Sequence, residues 1–131
     1  MTPATTLRKP KLHFDTGANP SHVTFDDGKE QRRNIPWLHY VEARWAYGEP
    51  DILNMEIGDW LVVMRGHNLG PLFLAIEDRT LMRVKAQHGF AGDSERTLDT
   101  FVTLLKFTKQ PSRSPGEMRR GQIEFNLGGI A

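Results

Sequence analysis

Cysteine does not occur in this 131-residue chain. Its absence excludes disulfides, a thiolate nucleophile and any zinc site built on cysteine. Long apolar runs are also missing, and no stretch approaches the ~20 residues that a membrane-spanning helix needs. The opening residues, MTPATTLRKPKLHF, lack the apolar core of a secretory signal, so a cytoplasmic protein with no membrane partner is expected. Neither a Gly-x-Gly-x-x-Gly nor a Gly-Lys-Ser/Thr phosphate loop is present. The serines at 21, 94, 112 and 114 lie outside any Gly-x-Ser-x-Gly elbow.

What remains is an ordinary globular composition, 38% apolar and 25% charged, enough for one domain around a single core. The punctuation divides the chain into a loose arm over 1–10, a domain over 11–108, a flexible basic segment over 109–122 and a tail over 123–131. In that tail IEFNL (123–127) alternates as a strand does. Net charge is +1 but uneven: residues 1–20 carry +2, residues 106–131 carry +3 and the middle carries −4. Solvated tails account for basic ends on an acidic body, and contact with nucleic acid is the sharper alternative.

Along the domain, KLHF (11–14) reads as a short strand. In HVTFDDGKEQRR the pair Asp27-Gly28 suits a two-residue type I′ turn. The strand after it, Lys29–Arg33, is polar on both faces and belongs at a sheet edge. Residues 37–45 fit both periods, helical through Trp37, Tyr40, Val41, Arg44 and Trp45, alternating through Trp37, His39, Val41, Ala43 and Trp45. Aromatic and β-branched content favours a strand over 40–46, after a turn at Pro36. ILNMEIGDWLVVMRG is the firmest stretch, two strands about a type II′ turn at Gly58-Asp59. That register opposes Ile57 with Trp60, Met55 with Val62 and Leu53 with Met64 on one apolar face. It turns Leu61 and Val63 to the other face, among Glu56, Asn54 and Arg65. Two apolar residues in a polar surround suit a contact surface, covered by the strand at 100–107, by the second face of a closed barrel, or by their own copies in a two-fold dimer.

Leu69, Leu72, Phe73 and Ile76 form a helical stripe. The helix either breaks at Asp78–Thr80 or runs on through Leu81 and Val84 to Gly89. TFVTLLKF (100–107) reads as a strand with Phe101, Thr103, Leu105 and Phe107 on one face. The expected fold class is therefore α+β: a mostly antiparallel meander of about five strands over 22–66, covered by a helical region over 69–88. A curled, partly closed barrel of the SH3-like sort is the variant.

Three groups of residues are candidates for function. Trp37, His39, Tyr40, Arg44 and Trp45 could line a concave aromatic surface for a peptide or an unpaired base, or simply plug the open end of the sheet. Leu61 and Val63 are the candidate interface. In RGHNLGPLF (65–73), Gly66, His67, Asn68 and Gly70 lie between a strand and a helix, where N–H groups attract anions. The simpler account of that joint makes Asn68 the helix N-cap and puts Pro71 in the first turn. The histidines at 13, 22, 39, 67 and 88 show no ligand spacing, so no metal or cofactor is expected. Glu42, Glu49, Asp51 and Glu56 do acid–base work only if folding holds them close. The favoured function is a non-catalytic binding or accessory module, acting through a protein partner or self-association. A nucleic-acid-binding protein using its basic ends and Arg32/Arg33 is the alternative, and an enzyme without a linear motif is third.

Overall fold

The hairpin about Gly58-Asp59 adopts the expected register to the residue. In the structure, a computed structural model that describes residues 9–111, Ile57 faces Trp60, Met55 faces Val62 and Leu53 faces Met64. Gly58 takes φ +61° while Asp59 keeps a negative φ, as a type II′ turn requires. Leu53, Met55, Ile57, Val62 and Met64 are wholly buried.

The elements run β1 (Phe14–Thr16), β2 (His22–Asp26), β3 (Arg32–Pro36), a 3₁₀ turn (Trp37–His39), β4 (Tyr40–Arg44), β5 (Ile52–Ile57), β6 (Trp60–His67), α1 (Gly70–Glu77), β7 (Leu81–Lys85), 3₁₀ turns at His88–Phe90 and Ser94–Arg96, and β8 (Phe101–Lys109). The strands form two four-stranded sheets, ordered β1-β7-β2-β3 and β4-β5-β6-β8. The fold is thus α+β and rich in strand, with one α-helix among the described residues. The Trp37–His39 turn carries the chain from β3 in the first sheet to β4 in the second. Parallel bridges from Leu12 to Thr100 and from Ala86 to Val102 connect the sheets elsewhere. One core lies between them, with Val23, Phe25 and Val84 from the first sheet, Met55, Met64 and Leu105 from the second, and Leu72 and Ile76 from α1.

Three expectations need correction. The β2–β3 hairpin exists, but its loop has five residues, not two, since Asp26 faces Arg32. The Asp27 carboxylate accepts N–H groups from Lys29, Glu30 and Gln31 at 2.8–3.1 Å, and so organises a wider turn than Asp-Gly alone suggests. The following strand accordingly starts at Arg32; as expected, it lies at a sheet edge.

The helical region does not reach residue 88. It ends at Glu77, where Arg79 takes φ +57°, the Thr80 N–H donates to Ala75 O and the Arg79 N–H to Ile76 O. This is a Schellman ending with arginine in the left-handed position that glycine usually fills. The chain then forms β7, between β1 and β2, parallel to β2 and antiparallel to β1. A bulge against β1 leaves Met82 as an extra residue, so Leu81 and Val84 are both buried three positions apart. That spacing imitates a helical stripe.

The third correction concerns architecture. The five strands over 22–66 do not make one meander, because they divide between two sheets after β3. TFVTLLKF, expected as a strand over 100–107, is β8 and lies beside β6 in the second sheet. KLHF is a strand only at Phe14, with Leu12 in an isolated bridge. Most of the arm over 1–10, most of the basic segment over 109–122 and the alternating stretch over 123–127 lie outside the described residues.

Candidate functional site

The outer face of the second sheet follows from its register. Glu42, Glu56, Leu61 and Thr108 form one row across β4, β5, β6 and β8. Two residues along lies a second row, Arg44, Asn54, Val63 and Lys106. Between them runs Ala43, Met55, Val62 and Phe107, pointing inward to the core. Leu61 and Val63 are half-buried, and Leu104 and Val41 are exposed. The Arg44 guanidinium donates to Glu56 at 2.8 Å and to Glu42. Those two carboxylates, Glu56 foremost, raise its pKa further above an already high value.

The aromatic candidates do not share one surface. Trp37 is core, its Nε1–H donating to Leu81 O at 3.0 Å, and its ring meets Tyr40 edge-on at 5.3 Å. Burial pushes the Tyr40 hydroxyl above its usual pKa, against the pull of the nearby Arg79 guanidinium. His39 is exposed, and its carbonyl receives the Gly58 N–H. Arg44 belongs to the outer face just described. Trp45 packs on Phe73 at 5.5 Å and donates from Nε1 to Pro50 O. Trp60, expected in the core, is half-buried under the Arg33 guanidinium, 3.7 Å from its centroid. Arg32 sits 3.6 Å from Asp26.

Trp45 instead joins the RGHNLG stretch. A cavity of about 340 Å³ is lined by Trp45, Asp51, His67, Asn68 and Gly70. A second, of about 310 Å³, shares Asp51, Gly66 and His67 and adds Arg65, Phe90, Asp93 and Arg96. Gly66 follows a bulge against β8, and a Cβ there would lie 2.1 Å from Phe101 O. Only glycine permits that approach.

The N-cap expectation for Asn68 is overturned. Leu69 occupies that position without a side-chain bond, while Asn68 takes φ +56° and its amide donates to Leu98 O. Pro71 does fall in the first turn. His67 stacks on Phe101 and donates from Nε2 to Thr97 O at 2.6 Å, the tautomer following from a carbonyl acceptor. Gly66, His67 and Asn68 thereby tie β6 to residues 97–101.

Sequence reading missed the group beneath this joint. Asp99 is wholly buried; its Oδ1 accepts the Lys11 N–H, and its Oδ2 lies 3.5 Å from His13 Nε2 and 3.9 Å from Arg96 Nη1. Arg96 also pairs with Asp93 at 3.1 Å and lies over Phe90. An acid between Leu98 and Thr100 in a loop carries no sequence mark of burial, so only the fold reveals it.

Among the described residues no three histidine, aspartate or glutamate side chains gather as a metal site, and no helix is long and apolar enough to cross a membrane. Comparison with protein-family models, with curated proteins and with solved structures finds no match.

Proposed function

We propose that the chain is a non-catalytic binding module that acts by self-association through the outer face of β4-β5-β6-β8. The observation that carries this reading is the pair Leu61 and Val63 at the centre of a sheet face otherwise bordered by Glu42, Arg44, Glu56 and Lys106. Apolar side chains inside a charged border are the usual anatomy of a contact patch. The reading includes the cytoplasm as compartment, in keeping with a chain that has no cysteine. It also includes curling of the two sheets towards an SH3-like barrel, which the Leu12–Thr100 and Ala86–Val102 bridges support.

Nucleic-acid binding through Arg32 and Arg33 is the weaker reading, because Arg32 is paired with Asp26 and Arg33 is stacked on Trp60. Sedimentation velocity tests the proposal. The wild type forms a dimer at high micromolar concentration, while Leu61→Ser/Val63→Ser remains a folded monomer with a near-native melting temperature. A wild type that is monomeric throughout refutes it.

A further inference from the structure

The two outer rows are complementary to each other, residue by residue. When two identical sheet faces stack, a two-fold axis between them must lie in the plane of contact. Two directions keep the strands of the copies aligned, one along the strands and one across them. An axis along the strands, between β5 and β6, would set Arg44 against Lys106 of the second copy, Glu56 against Leu61 and Asn54 against Val63. Those contacts join like charges and bury polar groups on apolar ones. An axis across the strands, above the inward row Ala43-Met55-Val62-Phe107, exchanges the two outer rows instead. Glu42 then meets Arg44 of the second copy, Glu56 meets Asn54, Leu61 meets Val63 and Thr108 meets Lys106. These four contacts are compatible: acid with base, acid with amide, apolar with apolar, hydroxyl with ammonium.

We infer that the second copy docks about this transverse axis, with β6 running antiparallel over its counterpart and Leu61 seated on Val63 at the centre. The inference rests on the self-association proposed above and specifies its geometry. Four strands at about 4.8 Å spacing and six paired residues at about 3.4 Å give a footprint of roughly 400 Å² per copy. With side-chain relief that amounts to about 1,000 Å² of total buried surface, the lower limit for a specific interface. An interface at that limit belongs with weak, reversible associations.

Three variants measured by sedimentation velocity test this arrangement. Leu61→Glu/Val63→Glu sets like charges against each other across the axis and weakens the dimer at least about tenfold. Leu61→Glu/Val63→Lys introduces as many charges but opposes unlike ones, and keeps dissociation within about threefold of wild type. Thr108→Asp, at an exposed position, adds a carboxylate facing Lys106 of the second copy and tightens the dimer several-fold. If both double variants are equally weak and Thr108→Asp has no effect, a dimer exists on this face but the transverse axis is wrong. A monomeric wild type removes the parent reading with it. A double variant that fails to fold reports the stability of the sheet and not the contact; Thr108→Asp then decides the axis alone, and no tightening overturns it.

Discussion

The two sheets are assembled by different rules. In β4-β5-β6-β8 the first three strands follow one another, so each pairing closes a short loop. In β1-β7-β2-β3 the inner partner of β2 arrives 55 residues after β2 ends, after three strands of the other sheet and α1 have intervened. Local pairing is written into turn chemistry and alternation, and it can be read residue by residue. Non-local pairing is written into what remains unpaired once the local pieces have formed, and no window of sequence shows that. The cost of closing a long loop grows only slowly with its length, so a late, distant strand is no great thermodynamic burden.

The contrast can be broken most severely at the one non-local seam of the second sheet. Gly66→Val places a side chain against the backbone of Phe101 and Val102, with the Cβ contact at 2.1 Å. The expected loss is on the order of 4 kcal/mol, or failure to fold, read by urea denaturation. A variant with near-native stability would mean that β6 and β8 separate there without cost.

A milder test asks whether the differently built sheets unfold together. Leu81 in β7 and Leu53 in β5 are both wholly buried in one continuous core. Leu81→Ala and Leu53→Ala should each cost about 3 kcal/mol and shift a single transition. Two resolved transitions, with only one moved by each substitution, would divide the protein into separately stable sheets.

The smallest expected effect lies in the β2–β3 loop. The N–H groups of Lys29, then Gln31 and Glu30, hold the Asp27 carboxyl below the usual carboxylate range. A group depressed in the folded state stabilises it above the unfolded pKa, and that stabilisation disappears as pH falls through the folded value. Asp27→Ala should therefore lower the melting temperature slightly at neutral pH and converge with wild type in acid. Equal differences at both pH values would show that the carboxylate's charge is irrelevant to the turn.

Legibility followed the same division. The β5–β6 register was readable because a Gly-Asp turn and three apolar pairs agree, and a slip of one residue would invert every side chain. The start of α1 was readable from Pro71 and the stripe through Leu69, Leu72 and Ile76. Its end was obscured by arginine in a position where glycine is the usual signal, and then by a bulge that put Leu81 and Val84 at helical spacing. At the joint the sequence points to Asn68 as a helix cap and Gly66 as part of a local turn, whereas their partners lie 30 or more residues away, at Leu98 and Phe101. The outer-face pair Leu61 and Val63 fell directly out of the hairpin register. The neighbours that decide what such a face can meet, Arg44 and Lys106, came only with the flanking strands.

The late arrival of β7 has a consequence during synthesis. The β2–β3 hairpin can form once residue 36 has left the ribosome, yet the inner edge of β2 has no partner until about residue 85 follows, a delay of several seconds at typical elongation rates. Throughout that interval a buried-type edge carrying Val23 and Phe25 is open to any other nascent strand. Vulnerability to misassembly should therefore depend on the pace of translation between these two points, so that synonymous codons which slow it would raise aggregation without altering the finished molecule.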